Sequence, residues 1–538
     1  MVIGITLAGV GGIVALLYPV LAAPVGADDR YWYLLVPGQT EGSYLAAMTS
    51  TFGGIASEAG NGRIATLAFL LRRFNAIFVT DVSVATSTPI VVVQAFMKLG
   101  LLLLVVLTCR AFLRSLRWRS EQNEVVGMGH RSVLLVSVTT AVFLAAGAQA
   151  HSQFRNGWTS YAPLTYTAVI VVIGVATLII RLTRKFAAPG NGWKVAALST
   201  AVLVGVLLNF SYELFYVAVP VTILVLLLQP ANIDARIGRR AKLFVGGAFL
   251  SAFTAVFVAF RIWIASACSN QDCYTGTQLD LNIALVRTFG RNFLGSVPGV
   301  GQNELKQDLA FVGWNDKMPG FIAPIPLLIA AVTAAALLYL WWRLTRKDCQ
   351  TREVQVLDSV SRAESRMLVR TATIPLAAAL GTAFVMSLSE QSHTIIESIG
   401  EPYRNTMATW TLLSLTGAML IRAATLRWSR RSSAVLLSIV GILVAVVGGH
   451  TLTANLSGLA ATRVMPAMEA SETIQWEVVL GDTSSEGDAR RCASFDALAG
   501  KYSEWTGGAI AKGANSAFEH YHGLPYCSTG LPDLSEVH

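Results

Sequence analysis

Ten long apolar runs, divided by loops that alternately hold and lack clusters of arginine, are what most constrain the fold of this chain. They cover residues 2–23, 89–107, 132–150, 166–180, 195–228, 243–265, 321–342, 373–388, 409–423 and 434–450. A helix needs about 20 apolar residues to cross the ~30 Å hydrocarbon layer of a bilayer. Inside that layer the backbone must satisfy its own hydrogen bonds, so runs of this kind fold as helices. The run 195–228 is interrupted by Asn209-Phe210-Ser211-Tyr212-Glu213 and reads as two short spans joined by a tight turn. The expected fold is therefore an all-α polytopic membrane protein of about 11 transmembrane helices. Composition excludes a soluble alternative. Of 538 residues, 54% are hydrophobic and 14% charged, too few charges to cover a water-exposed surface.

The cations set an orientation. Arg110, Arg114, Arg117 and Arg119 share one loop, and Arg181, Arg184 and Lys185 the next cluster. Arg236, Arg239, Arg240 and Lys242 follow, then Arg343, Arg346 and Lys347, then Arg427, Arg430 and Arg431. They occupy every second loop, which assigns those loops to the cytoplasm and the N-terminus with them. The intervening loops and the tail after His450 are then extracytoplasmic. The net charge of +9 belongs to this topology signal rather than to a nucleic-acid footprint, so no nucleic-acid partner is expected. No Lys or Arg precedes the first run, which has spanning length, so it reads as a retained helix rather than a signal peptide. Cysteines agree with the orientation. Cys109 and Cys349 fall on the reducing side, whereas Cys268, Cys273, Cys492 and Cys527 fall outside, where disulfides persist. The expected pairing is Cys268–Cys273 and Cys492–Cys527, one of three possible connectivities. Without a Cys-x-x-Cys or a matched histidine pair, no metal site is expected.

Residues 1–452 thus form a transmembrane module with two long outer loops, 24–87 and 266–320. In the second, Leu281, Leu285, Phe289 and Phe293 fall near helical spacing with Arg287 and Arg291 between them. This is either an interfacial amphipathic helix or a helix that caps the bundle. Residues 453–538 form a small extracytoplasmic, disulfide-containing domain, expected to be α/β, with a strand over 473–480 and a helix over 494–505. Its Trp476, Tyr502, Trp505, Tyr521 and Tyr526 suit either a small core or sugar stacking, with the core favoured.

Ionisable groups at a membrane rim are costly and tend to be functional. Directly after the first run comes Asp28-Asp29-Arg30-Tyr31-Trp32-Tyr33. Other outer-side groups are Arg63, Arg72 and Arg73, then His151, Arg155 and Trp158, then Glu213 in the interrupting turn. Glu390, His393, Glu397, Glu401, Tyr403 and Arg404 precede the tenth span. Lys98 lies midway through the second apolar run, with no partner named by the sequence. Carboxylates, arginines and aromatics together suit transfer of a sugar from a lipid phosphate. A carboxylate takes the acceptor's proton, arginine forks hold the departing phosphate, and rings support the glycan. For any single arginine, snorkelling to headgroups is the more ordinary role.

At this point the chain resembles the GT-C membrane glycosyltransferases. The acidic pair Asp28-Asp29 opening the first outer loop looks like theirs, as do the two long outer loops after the first and seventh spans. The outer C-terminal domain and Ala/Val-rich composition are similar to actinobacterial cell-wall arabinofuranosyl and mannosyl transferases. The resemblance implies inverting transfer of arabinofuranose, mannose or a similar sugar from a polyprenyl-phosphate donor to a cell-envelope glycan or lipid-linked acceptor, outside the cytoplasmic membrane. It implies that Asp28 acts as base while Asp29 orients the acceptor or binds a cation. No cofactor is implied, and a divalent cation is left open. Chemistry and position add Arg404, His393, Tyr403, Arg63 and Arg72 as donor-phosphate groups. Trp32, Glu213, Arg155 and Trp158 are the acceptor or sugar groups. The competing readings are a lipid-linked glycan flippase or transporter, which would show internal repeats, and a non-catalytic cell-envelope scaffold.

Overall fold

A computed structural model describes residues 2–25, 29–119, 125–150, 156–188, 190–229, 235–268, 273, 279, 281–299, 323–346, 354–396, 403–463, 466–498 and 504–530. The chain runs α1 (Val2–Leu21), α2 (Asp29–Thr40), α3 (Tyr44–Gly53), α4 (Ile55–Gly60), α5 (Thr66–Thr86) and α6 (Ile90–Ser115). A small antiparallel hairpin, β1 (Arg117–Arg119) with β2 (Val125–Gly127), leads to α7 (His130–Ala146), α8 (Ala162–Ala187) and α9 (Asn191–Leu208). A 3-10 turn, Glu213–Val217, opens α10 (Ala218–Leu228) and is followed by α11 (Ala235–Ala267) and α12 (Ala284–Gly295). Then come α13 (Pro324–Arg346), α14 (Val354–Ser387), α15 (Glu390–Ile395), α16 (Thr406–Arg427) and α17 (Arg430–Arg463). The chain closes with α18 (Pro466–Leu480), α19 (Ser485–Leu498) and α20 (Glu504–His522).

The protein is an all-α multi-pass membrane protein. Among the described residues, nine helices are long and apolar enough to cross a bilayer: α1, α6, α8, α9, α11, α13, α14, α16 and α17. The sequence expectation was eleven. The other two expected spans are apolar helices too short to qualify, His130–Ala146 and Glu213–Leu228. The 17 residues of α7 reach only about 26 Å at 1.5 Å per residue. α8 is the axis of the bundle: 72% of its apolar window is buried, against 22% for α1, α9 and α11 at the periphery. Lys98, on α6, is fully buried and donates to the Val20 carbonyl at 3.2 Å rather than pairing with an acid.

The helix α12 packs on the bundle through both polar and apolar groups. Thr288 and Asn292 face inward, and Asn292 Nδ2 donates to the Ala383 carbonyl (3.0 Å) and Ser387 Oγ (3.1 Å) on α14. Phe289 meets Phe384 of α14 edge-on at 6.1 Å. Val286, Arg287 and Leu294 are exposed, as is Ile283 just before the helix.

The C-terminal region corrects the sequence reading. It is helical among its described residues, not α/β. Ile474 and Val478, expected in a strand, recur with Ala470 every four residues and are buried along one face of α18. Hydrophobic residues at that spacing specify a helix despite their β-branching. The helix expected over 494–505 is instead the end of α19 and the start of α20, and residues 499–503 lie outside the described residues. Helix α17 runs unbroken across the 452/453 boundary set from sequence.

These last helices dock on the first long loop. α20 packs along α2, and the approach relies on missing side chains. A Cβ at Gly38 would collide with Ser516, and one at Gly513 would lie 3.0 Å from the Leu35 nitrogen. Tyr521 donates to Asp81 Oδ1 at 2.5 Å, joining α20 to α5. Gly38→Leu is expected to destabilise this docking by about 1–3 kcal/mol, because an overpacked contact forces backbone shifts. Limited proteolysis checks it: cleavage in the C-terminal region should accelerate while the apolar bundle stays protected.

Candidate functional site: a cationic rim with two clefts

Both disulfides form with the expected partners, Cys268–Cys273 and Cys492–Cys527. They mark one end of the bundle, where Cys273 Sγ lies 3.5 Å from the Gly60 carbonyl and the C-terminal helices cover α2. The arginine-rich turns meet at the other end, where the Arg117 amide donates to Gln229 Oε1 at 3.0 Å.

At the disulfide-bearing end, Asp29 opens α2 and is 2% exposed. Its Oδ1 accepts from Arg72 Nε (3.2 Å) and Nη2 (3.1 Å), and its Oδ2 accepts from the Tyr161 amide (3.0 Å) at the start of α8. The carboxylate is thus held by a guanidinium fork and a helix N-terminus, both of which favour a negative charge. Arg72 lies between the rings of Trp32 (4.5 Å) and Tyr161 (5.0 Å). Arg404 lies over Tyr161 at 4.7 Å and over Tyr403 at 5.7 Å.

Local turns aim the other cations. Glu58 accepts from the Ala65 amide (3.0 Å) and Thr66 Oγ1 (3.1 Å), tying the 61–65 turn to the start of α5. Burial pushes the Glu58 carboxyl up, against these hydrogen bonds and the nearby Arg63 and Arg73. From that turn Arg63 reaches Glu213 Oε2 at 3.0 Å, with the Tyr212 ring 5.4 Å from its guanidinium. The Arg404 loop is fixed by Thr406 Oγ1, which donates to the Tyr403 carbonyl (2.6 Å) and accepts from the Tyr403 amide (2.9 Å). Gly157 allows the two loops to touch: its amide donates to the Tyr403 carbonyl at 3.2 Å, and a Cβ there would collide with the Arg404 carbonyl.

Two open clefts result. The first spans about 320 Å³, counting the space open to solvent, and is lined by Arg63, Tyr212, Glu213, Ser389, Tyr403 and Arg404, among others. The second spans about 350 Å³ on the same count and shares Arg63 and Glu213 with the first, adding Asn209, Tyr216, Phe257, Phe260 and Arg261, among others. Burial pushes the Tyr212 phenol up to about 12, although Arg404 and Arg63 work against it. Tyr212 therefore keeps its proton at neutral pH, and its buried hydroxyl has no hydrogen-bond partner among the described residues. A buried donor left in that state costs about 1–3 kcal/mol, so it is poised for an acceptor entering the cleft.

Neither a family model, nor a curated protein, nor a solved structure matches this chain.

Of the residues selected from sequence, the fold brings Arg63, Glu213, Tyr403 and Arg404 to the first cleft. Asp29 and Arg72 form a separate buried pair beside it, with Trp32 against the guanidinium, connected through Tyr161. His393 turns back to the Ser387 carbonyl at 2.9 Å. Trp158 is fully buried, edge-on to Tyr166 at 6.3 Å, and lines neither cleft. Asp28 and Arg155, with His151, Glu397 and Glu401, lie outside the described residues. Sequence reasoning missed Tyr161 and Tyr212. The signal for Tyr212 was present, one residue before Glu213 in the turn that interrupts the apolar run. Among the described residues, no group of three or more His, Cys, Asp and Glu is placed to hold a metal ion.

Proposed function

We propose that this chain is an inverting glycosyltransferase of the cytoplasmic membrane. It takes a sugar such as arabinofuranose or mannose from a polyprenyl-phosphate donor and delivers it to a cell-envelope glycan or lipid-linked acceptor on the outer face. The observation that carries the reading is the first cleft, in which two guanidinium groups, a protonated buried phenol and a carboxylate converge at a bundle rim. Arg404 and Arg63, with Tyr212 and Tyr403, supply charge and donors for a departing phosphate. The sugar's anomeric carbon then lies near the rim carboxylates, and the acceptor hydroxyl loses its proton to one of them. Arg72 is committed to Asp29, which suits a supporting role better than phosphate capture. The arginine clusters at the opposite end and the disulfides at this one support an extracytoplasmic assignment for the clefts, with the N-terminus in the cytoplasm.

The purified protein in proteoliposomes, given a panel of polyprenyl-phosphate sugars and octyl glycosides as acceptors, is expected to form a glycosylated octyl product detectable by mass spectrometry. Absence of turnover on every donor, together with transbilayer movement of an intact lipid-linked glycan, would replace the enzyme with the transporter.

A further inference from the structure

The second cleft differs chemically from the first, although they share a wall. Its lining carries three rings, Tyr216, Phe257 and Phe260, beside Arg63 and Arg261: Phe257 lies edge-on to Tyr216 at 5.9 Å and under the Arg261 guanidinium at 5.3 Å, and Phe260 is backed edge-on by Phe210 at 4.9 Å. Its polar atoms also have the opposite sense. Asn209 is fully buried, and its Nδ2 donates to the Gly205 (3.0 Å) and Phe253 (3.1 Å) carbonyls. Both partners are pure acceptors, so the amide cannot be flipped, and Asn209 Oδ1 is left as a buried acceptor without a partner among the described residues. One cleft thus presents an unused O–H donor beside Arg63 and Arg404, and the other an unused carbonyl acceptor among rings, beside Arg63 and Arg261. The first set fits an anion. The second fits a hydroxyl-bearing ring compound, because apolar faces with a few placed polar groups are how such ligands are oriented.

Resting on the transferase reading, we propose that the second cleft is the acceptor site, taking the hydroxyl-bearing sugar, and that Glu213 is the catalytic base between the two substrates. Among the described lining residues Glu213 is the one carboxylate, and it lines both clefts. Asp29 is already engaged by three hydrogen-bond donors and nearly sealed from solvent. In the step, the acceptor hydroxyl transfers its proton to Glu213 Oε1 or Oε2 while its oxygen forms a bond to the donor's anomeric carbon. The bond from that carbon to the phosphate oxygen breaks, and its electron pair leaves on the phosphate beside Arg404. Arg63, paired to Glu213 at 3.0 Å, holds the carboxylate at the shared wall.

Glu213→Gln is expected to lower turnover roughly 100- to 10,000-fold while dodecyl phosphate, a probe of the first cleft, still stabilises the variant against heat. Asn209→Ala is expected to raise KM for the octyl glycoside acceptor and leave KM for the donor unchanged. If Glu213→Gln turns over normally while Asp28→Asn is inactive, the base is not Glu213; the transferase reading survives and this assignment does not. If Asn209→Ala shifts both KM values equally, the second cleft is not an acceptor site. If the wild type transfers no sugar, the underlying reading fails, and the assignment with it.

Discussion

Asp29→Asn is expected to cost the protein about 3–5 kcal/mol, the usual effect of removing one partner from a buried ion pair. Arg72 is 7% exposed and Asp29 2%. With the carboxylate neutralised, the guanidinium keeps its charge in a place from which water is excluded. Asparagine has one acceptor oxygen where aspartate has two. It therefore cannot serve the Arg72 fork and the Tyr161 amide together. The surrounding rings of Trp32 and Tyr161 offset part of this, since a cation over a ring gains roughly 0.5–2 kcal/mol, but that attraction exists already in the wild type. Arg72→Met alone should be similarly costly, because it strands a buried carboxylate. The double variant Asp29→Asn with Arg72→Met should recover much of the loss, because neither charge is then left unpaired. Thermal unfolding in detergent, read by fluorescence-detected size exclusion, checks all three. If each single variant melts like the wild type, the pair is not a keystone of this rim. A loss of transfer activity in Asp29→Asn that tracks its melting temperature would mark a supporting residue rather than a base.

The second large effect concerns Arg404. Arg404→Ala is expected to reduce turnover roughly 100- to 1,000-fold, the range for deleting one preorganised group that meets developing negative charge. Its backbone is pinned by the Tyr403–Thr406 turn and by Gly157, and its guanidinium rests on two tyrosine rings. Truncation therefore removes charge from a cleft that is otherwise already built, and melting should change far less than in Asp29→Asn. Arg404→Lys should recover only part of the rate, because an ammonium lacks the planar fork that matches a phosphate and the stacking that holds it. Kinetics with a polyprenyl-phosphate sugar, beside melting curves, separate the two effects. Wild-type turnover in Arg404→Ala would remove it from the phosphate site.

Much of the bundle could be read from residues alone, because the cost of an exposed backbone in hydrocarbon leaves a long apolar run one solution. The central position of α8 could not. Its run looks like its neighbours', and only packing makes it 72% buried. The C-terminal region shows the reverse failure. Val478, Val479 and Ile474 have strand propensity, but propensity yields to tertiary context when a four-residue spacing can bury one helix face. The site was half legible. The acidic pair after the first run drew attention to Asp29, yet its environment there is closed and engaged, and no single-sequence pattern reports a partner 43 positions away, as Arg72 is.

The sequence by itself determined that this chain is a multi-pass helical membrane protein, and it nominated, without deciding, one of three disulfide pairings and a set of ionisable groups for a rim. Only the tertiary structure decided which of them meet. Arg63 and Glu213 lie 150 positions apart, and their pairing depends on how the turn before α5 docks beside the break between α9 and α10. Such contacts are long-range, and they follow from packing geometry rather than from local pattern.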